Sequence, residues 1–288
     1  MKKILFMLAA ALTMGACSNE EFATENVQYV NELKINFEGG DTRVAITDLS
    51  SAGLKFSFED GEEIQVYAID NVDITMYYVY DATTQTLKAK HESYKLQEGK
   101  KYFAITDVRS SIAVKVDEGG NVSAETKLDT NSGIKDMPMI TDVFTASADG
   151  TVATMHHLVG VVEVPVKLEE DSPEKVLFQL NLSGVSGLAG EFTAIPKAPY
   201  INEITTEYSS TFSDELNVEL STETATSVFI PVLPGTYTSA ITLNRFYYIG
   251  EELQNAGAAL GGSYSDPKTL VVERGKITKV TEHTISLY

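Results

Sequence analysis

A period of two runs through almost the whole chain, and it leaves little room for anything but strands. Leu33, Ile35 and Phe37 alternate with Lys34 and Asn36 before Gly39-Gly40-Asp41 ends the run. Leu54, Phe56 and Phe58 alternate next, Glu59-Asp60-Gly61 turns the chain, and Ile64, Val66 and Ala68 alternate again. Successive side chains of a strand point to opposite faces, so this pattern predicts half-buried strands joined by turns. Residues 76–80, short, aromatic and β-branched, are a further strand, 102–105 and 112–116 follow, and 152–168 is the longest strand-like run, interrupted by Gly160 and Pro165. A proline in a central strand leaves a ladder bond unmade, so Pro165 points to an edge or a bulge. Val176, Phe178, Leu180 and Leu182 alternate before the glycine-rich stretch 184–190. Residues 227–232 and 237–243 flank Pro234-Gly235, a tight turn, and 269–272 and 277–287 around Arg274-Gly275-Lys276 finish the chain. Helical spacing occurs only over 246–260, weakened by Gly250 and Gly257.

Many short strands with turns roughly every 8 to 12 residues predict an all-β chain of the sandwich class. Its length suits two sandwiches in tandem, 33–150 and 151–288. Asp149-Gly150 is the preferred boundary. The polar run near 170 is the other candidate, but it also serves as a hairpin loop between 152–168 and 176–182.

The N-terminus carries an address. Lys2 and Lys3 precede an apolar run over 4–14, and Gly15-Ala16 lead into Cys17, the only cysteine. This is the layout of a secretory signal peptide. It resembles the lipobox of bacterial lipoproteins, in which the chain is cut before the cysteine and the thiol is lipidated with palmitate-type chains. Met14 stands where that motif usually has Leu or Val; a plain signal peptide with an incidental cysteine is the other reading. On the lipobox reading residues 1–16 are removed, Cys17 carries the lipid, and 17–32 form an acidic tether. Ser18, Asn19, Glu20 and Glu21 resemble the acidic tag that sends lipoproteins of Bacteroidota to the outer face of the outer membrane. A solvated leash is the plainer reading of the same residues.

Charge and composition narrow the function. The net charge is −19, and loss of 1–16, with two lysines and no acid, makes it −21. Such acidity argues against nucleic acid, which demands Lys/Arg surfaces, and against adhesion to an anionic bilayer by charge. Lipid on Cys17 would do the anchoring. Once that thiol is used, no disulfide or thiol chemistry is left.

A search for catalysis returns nothing specific: His-Glu-x-x-His, Gly-x-Ser-x-Gly and Walker-type motifs are all missing from the sequence. His156 and His157 are neighbours on a strand, so they face opposite ways and cannot share a metal. Gly184, Gly187 and Gly190 lack a following lysine and helix and read as turns. Asp70 and Asp73 read as a solvated turn before a calcium loop, and Glu62-Glu63 is an ordinary pair in so acidic a chain. The expectation is a non-enzyme with no metal and no cofactor.

Four features in order resemble the fimbrillin-like (Mfa-type) surface lipoproteins of Bacteroidota. They are Cys17 to Glu21; Asp41-Thr42-Arg43 followed by Phe58-Glu59-Asp60-Gly61-Glu62-Glu63-Ile64-Gln65-Val66-Tyr67; Met155-His156-His157-Leu158-Val159-Gly160-Val161-Val162; and Ile230-Pro231-Val232-Leu233-Pro234-Gly235-Thr236-Tyr237 with Arg274-Gly275-Lys276-Ile277. Glu62 replaces the family's usual Asp.

The resemblance implies transthyretin-like sandwiches and a role in cell adhesion as a structural subunit of a fimbrium, or pilus. It further implies proteolytic loss of an N-terminal strand, here Leu33, Ile35 and Phe37, after a cut at Arg43. A neighbouring subunit then donates a strand, here the C-terminal segment with Ile277, Ile285 and Leu287. Other fimbrial subunits and the outer membrane are the implied partners. Arg43 as an ordinary surface residue, and Ile285 and Leu287 in an intramolecular last strand, remain open. So does a non-polymerising surface lipoprotein that binds glycans or host ligands. Fourteen tyrosines could serve it, but the lack of tryptophan counts against it.

Overall fold

The computed structural model describes residues 27–38, 58–106, 112–128, 137–168, 175–182, 188–205, 214–219, 226–239, 241–249, 252–255, 268–279 and 283–285. Residues 33–37, 64–68, 176–182 and 227–232 form strand as their alternation predicts, whereas Phe58 lies outside any strand and the run 152–168 breaks at Leu158-Val159 into two strands. Among them the chain is all-β apart from one 3-10 turn, Glu92–Tyr94.

The N-terminal strands are β1 (Tyr29–Val30), β2 (Glu32–Phe37), β3 (Glu63–Ala68), β4 (Asn71–Asp81), β5 (Thr86–Ala89), β6 (Leu96–Gln97) and β7 (Lys101–Thr106). They are followed by β8 (Ala113–Val116), β9 (Val122–Leu128), β10 (Met139–Thr141), β11 (Phe144–Thr145) and β12 (Thr151–His157). β3, β4 and β5 form an antiparallel meander, and β7 pairs with the free side of β3. β2 lies beyond β5, and β12 runs parallel beside β2. β10 then pairs with β12 on one side and with β7 on the other, Ile140 standing opposite both His156 and Ile105.

That double pairing closes seven strands into a barrel-like sheet, where open sandwich sheets were the expectation. A closed sheet has no free edge to protect, and a three-residue bridging strand is enough to remove both. Leu33, Val66, Tyr78, Leu87, Ala104 and Met155 fill the interior, each fully or almost fully buried.

The rest of the chain supplies β13 (Gly160–Leu168), β14 (Lys175–Leu182), β15 (Gly190–Ala194), β16 (Ile201–Thr205), β17 (Asp214–Glu219) and β18 (Thr226–Val232). After these come β19 (Gly235–Ser239), β20 (Ile241–Ile249), β21 (Glu252–Asn255), β22 (Lys268–Val272), β23 (Ile277–Lys279) and β24 (His283–Ile285). β18 pairs with one edge of β13, and β23 and β24 lie parallel along the other. β17, β14, β20 and β21 form a second sheet, and β19 pairs with β22.

Strand pairing crosses the boundary expected at residue 150. β12 belongs to the barrel, and β15 pairs with β9, Phe192 opposite Thr126, in the sheet β16-β15-β9-β8. A second core accordingly mixes Tyr67, Phe103 and Ile105 from the first half with Leu158, Ile230 and Leu270 from the second.

Two local expectations meet the structure directly. The helix considered over 246–260 is strand as far as the described residues reach: Phe246 and Tyr247 in β20 face Asn255 and Gln254 in β21. Consecutive aromatic and β-branched residues favour the pleated surface over a helix. Pro165 has Ser227 opposite on the β18 side, but the parallel register on the other side stops at Glu163 and resumes at Val166. The proline, which has no N–H to give, stands at that interruption.

Candidate functional site

β2 is the seam of the barrel. Leu33 and Ile35 are buried, Phe37 packs 5.4 Å ring to ring against Phe58, and Glu32, Lys34 and Asn36 face out. Five successive residues pair with β12, from Thr151 opposite Leu33 to Met155 opposite Phe37, whereas only Glu32 and Leu33 pair with β5. The strand is therefore held by one full ladder, one short one and its buried side chains. Leu33 and Ile35 contribute about 3 to 6 kcal/mol, at about 1.5 to 3 kcal/mol for each fully buried side chain, and the half-buried Phe37 adds less.

The end of β2 runs into a polar cluster. Glu38 donates its backbone N–H to Met155 O at 2.9 Å, and its carboxylate receives both terminal nitrogens of Arg274, Nη2 donating to Oε1 at 2.9 Å. Nη1 also donates to His157 O at 2.9 Å. The guanidinium lies 4.5 Å over the ring of Tyr200, which stacks at 4.1 Å on His156. His156 Nε2 is 2.9 Å from Asp142 Oδ2 and 3.1 Å from the Tyr200 hydroxyl. Its Nδ1 is 3.2 Å from Glu38 Oε2, within charge contact but off the hydrogen-bond line.

Each group sits at the end of a different element: Glu38 after β2, Asp142 after β10, His156 on β12, Tyr200 between β15 and β16, and Arg274 between β22 and β23. Tyr200 has a φ of +70°, the left-handed region that a bulky residue enters only at a cost, and this conformation accompanies its place on the cluster.

Solved structures with a similar fold come from Bacteroides. A candidate cell adhesion protein of Bacteroides ovatus aligns over 87% of this chain and 99% of its own, at 10% identity and a TM-score of 0.51. At this identity the likeness shows the fold. A candidate cell adhesion protein of Bacteroides uniformis (14% identity, 91% of this chain and 94% of its own, TM-score 0.49) and a fimbrial protein of Bacteroides ovatus (12%, 90% and 50%, 0.46) lie further off. No family model matches the chain, and neither does any curated protein.

Electrostatics set how the cluster responds to acid. The Arg274 guanidinium holds the Glu38 carboxyl below its ordinary range, against the opposing effect of burial. Burial pushes the Tyr200 hydroxyl up to about 12. Burial also lowers His157, 2% exposed, from 6.5 to about 4. Between those two values the unfolded chain binds a proton that the folded chain refuses, so stability falls as pH falls. At about 1.4 kcal/mol per pH unit the loss reaches about 3 kcal/mol by pH 4. Glu38 acts lower: its contribution is present above 4.5 and is lost as pH drops through its depressed folded value. Denaturant melts from pH 7 to 4 should show this decline, and His157→Gln should flatten it above pH 4.5.

Of the residues singled out from sequence, Leu33, Ile35 and Phe37 form β2, and Phe58-Glu59-Asp60-Gly61-Glu62 builds the turn that opens β3. Gly61 takes a φ of +85° there, Glu62 Oε2 accepts from Glu59 N, and Asp60 Oδ1 accepts from Ala82 N. Ile277 is in β23 and Ile285 in β24, both on β13 of the same chain. Cys17, Ser18, Asn19, Glu20, Glu21, Arg43 and Leu287 lie outside the described residues. Asp70 accepts from Lys100 Nζ at 2.6 Å. Among the described residues no group of three or more His, Cys, Asp or Glu is placed to hold a metal ion. Sequence reading reached His156 and Arg274 within motifs but passed over Glu38, Asp142 and Tyr200. Only a polar residue at a strand end could have flagged them.

Proposed function

We propose that this chain is a structural subunit of a bacterial surface fimbrium. It is lipid-anchored through Cys17 at the outer membrane and assembles by strand exchange after a cut at Arg43 removes β2. The observation that carries this reading is the position of β2. It is a seam strand joined to its barrel by one long ladder and one two-residue ladder. Its loss would leave the facing edges of β12 and β5 and the space of Leu33, Ile35 and Phe37 open to an added strand. Ladder bonds would then give affinity and alternate side chains register. The Bacteroides ovatus fold neighbour, described as a candidate cell adhesion protein, agrees with a surface role. The donor is the C-terminal segment with Ile277, Ile285 and Leu287, which must first leave β13.

The purified chain treated with a trypsin-like protease and followed by intact mass and non-boiled gels tests this. One early cut after Arg43, then a ladder of oligomers that Ile285→Asp with Leu287→Asp abolishes, is the expected result. A chain that is cut there and stays monomeric overturns it. That outcome favours a non-polymerising surface lipoprotein, for which the ring cluster of Tyr77, His91 and Tyr94 offers a glycan platform, with centroids 6.2 Å and 5.2 Å from Tyr94.

A further inference from the structure

We propose that the Arg274–Glu38 pair is a clasp that couples release of β2 to release of β23 and β24, an inference that rests on the strand-exchange reading above. Glu38 is the first residue after β2, and Arg274 lies three residues before β23 begins. One bidentate ion pair therefore joins the end of the segment that leaves to the root of the segment that is donated, across 236 positions of sequence.

The anchoring is specific to this turn. Arg274 also donates to the backbone of His157 on β12, the strand that carries the long ladder to β2. Gly275 N donates to Val159 O and Val161 N to Lys276 O, both at 2.9 Å, so the turn is hung on β13 by backbone as well. Beyond it β23 is short: three residues pair with β13 before the register breaks. Such a strand keeps its place largely through the turn that leads into it. The Arg274 side chain is 22% exposed, so removing its carboxylate leaves a partly desolvated charge with a carbonyl and a ring face for company.

A cut after Arg43 removes Glu38 together with β2. The acceptor groove then opens first and the donor loosens second, and an uncut subunit offers neither. This order keeps subunits from assembling before the cut.

Hydrogen exchange on the uncut full chain reads the coupling directly. Glu38→Gln should speed exchange of the 277–279 amides about tenfold along with those of β2, since a charged fork becomes a weaker neutral contact. Arg274→Lys, which keeps the charge and loses the fork, should act in the same direction. Glu32→Gln, a carboxylate on β2 outside the cluster, should leave 277–279 unchanged. Wild-type exchange at 277–279 in Glu38→Gln, or equal acceleration by Glu32→Gln, overturns the clasp. The two ideas fail separately. Coupled exchange in a chain that forms no ladder after the cut leaves the clasp standing without the fimbrial reading. A ladder with uncoupled exchange removes the clasp alone.

Discussion

Leu33→Asp is expected to prevent the barrel from closing, whereas Lys34→Asp one residue along should change little. Leu33 has no exposed surface and stands between Thr151 of β12 and Leu87 of β5. The substitution gives up about 1.5 to 3 kcal/mol of buried apolar surface. It also places a carboxyl where water cannot reach, at a further cost of several kcal/mol whether the group stays ionised or takes up a proton. Together these approach about 5 kcal/mol, the lower end of the stability of a whole domain. Lys34 points outward on the same strand, where substitutions typically cost within about 0.5 kcal/mol. Denaturant melts followed by near-UV circular dichroism of the tyrosines, Tyr78 and Tyr102 being barrel-core residues, should show the contrast. Comparable losses from both variants would mean that β2 does not hold this register, and the seam would lose its meaning.

The alternation that predicted β2 and β3 carries facing but no partner. Nothing in Leu33-Lys34-Ile35-Asn36-Phe37 says that the neighbour is a strand more than a hundred residues later, running parallel. Closure was hidden for a different reason. β10 is three residues long and buried at every one, so it shows no polar–apolar period at all. The predicted boundary at 150 met the same difficulty. Thr151 does begin a strand after a turn, but that strand is claimed by β2 and β10 on its two sides. A period of two says which residues are inside, and pairing over long separations decides inside what.

The polar cluster was still less legible. Its members come from positions 38, 142, 156, 200 and 274, each at or near a strand end where alternation stops giving information. Adjacency on a strand gives His156 and His157 opposite faces but names no partner for either, and the structure supplies Asp142 and Tyr200 for His156. Glu38 sits between the alternating run and Gly39-Gly40-Asp41 in sequence, and only the fold reveals that Arg274 reaches it.

Gly160→Ala is expected to be the most damaging single-methyl change in the second core. Gly160 opens β13 opposite Val232, and a Cβ there would stand 2.4 Å from the Glu273 carbonyl oxygen and 2.6 Å from Val272 Cγ1. The first of these is backbone and cannot swing aside. The turn that carries it is tied down on both sides of the glycine, by Gly275 N to Val159 O and by Val161 N to Lys276 O. Relief requires lifting the turn, which stretches those two bonds and draws Arg274 away from Glu38. Overpacking of about 1 to 3 kcal/mol plus about 1 kcal/mol for each weakened bond gives a loss of about 3 to 5 kcal/mol. Gly275→Ala is the control. Its φ of +67° disfavours a side chain, but its Cβ would meet only His157 at 3.7 Å, an ordinary contact. That substitution should cost about 1 kcal/mol, the penalty of the left-handed conformation alone. Chemical denaturation of the two variants should therefore separate close approach from backbone conformation, with Gly160→Ala the worse by at least about 2 kcal/mol. An equal loss at the two positions would mean that β13 accepts a methyl by sliding. The turn bearing Arg274 would then not be held as tightly as its hydrogen bonds require.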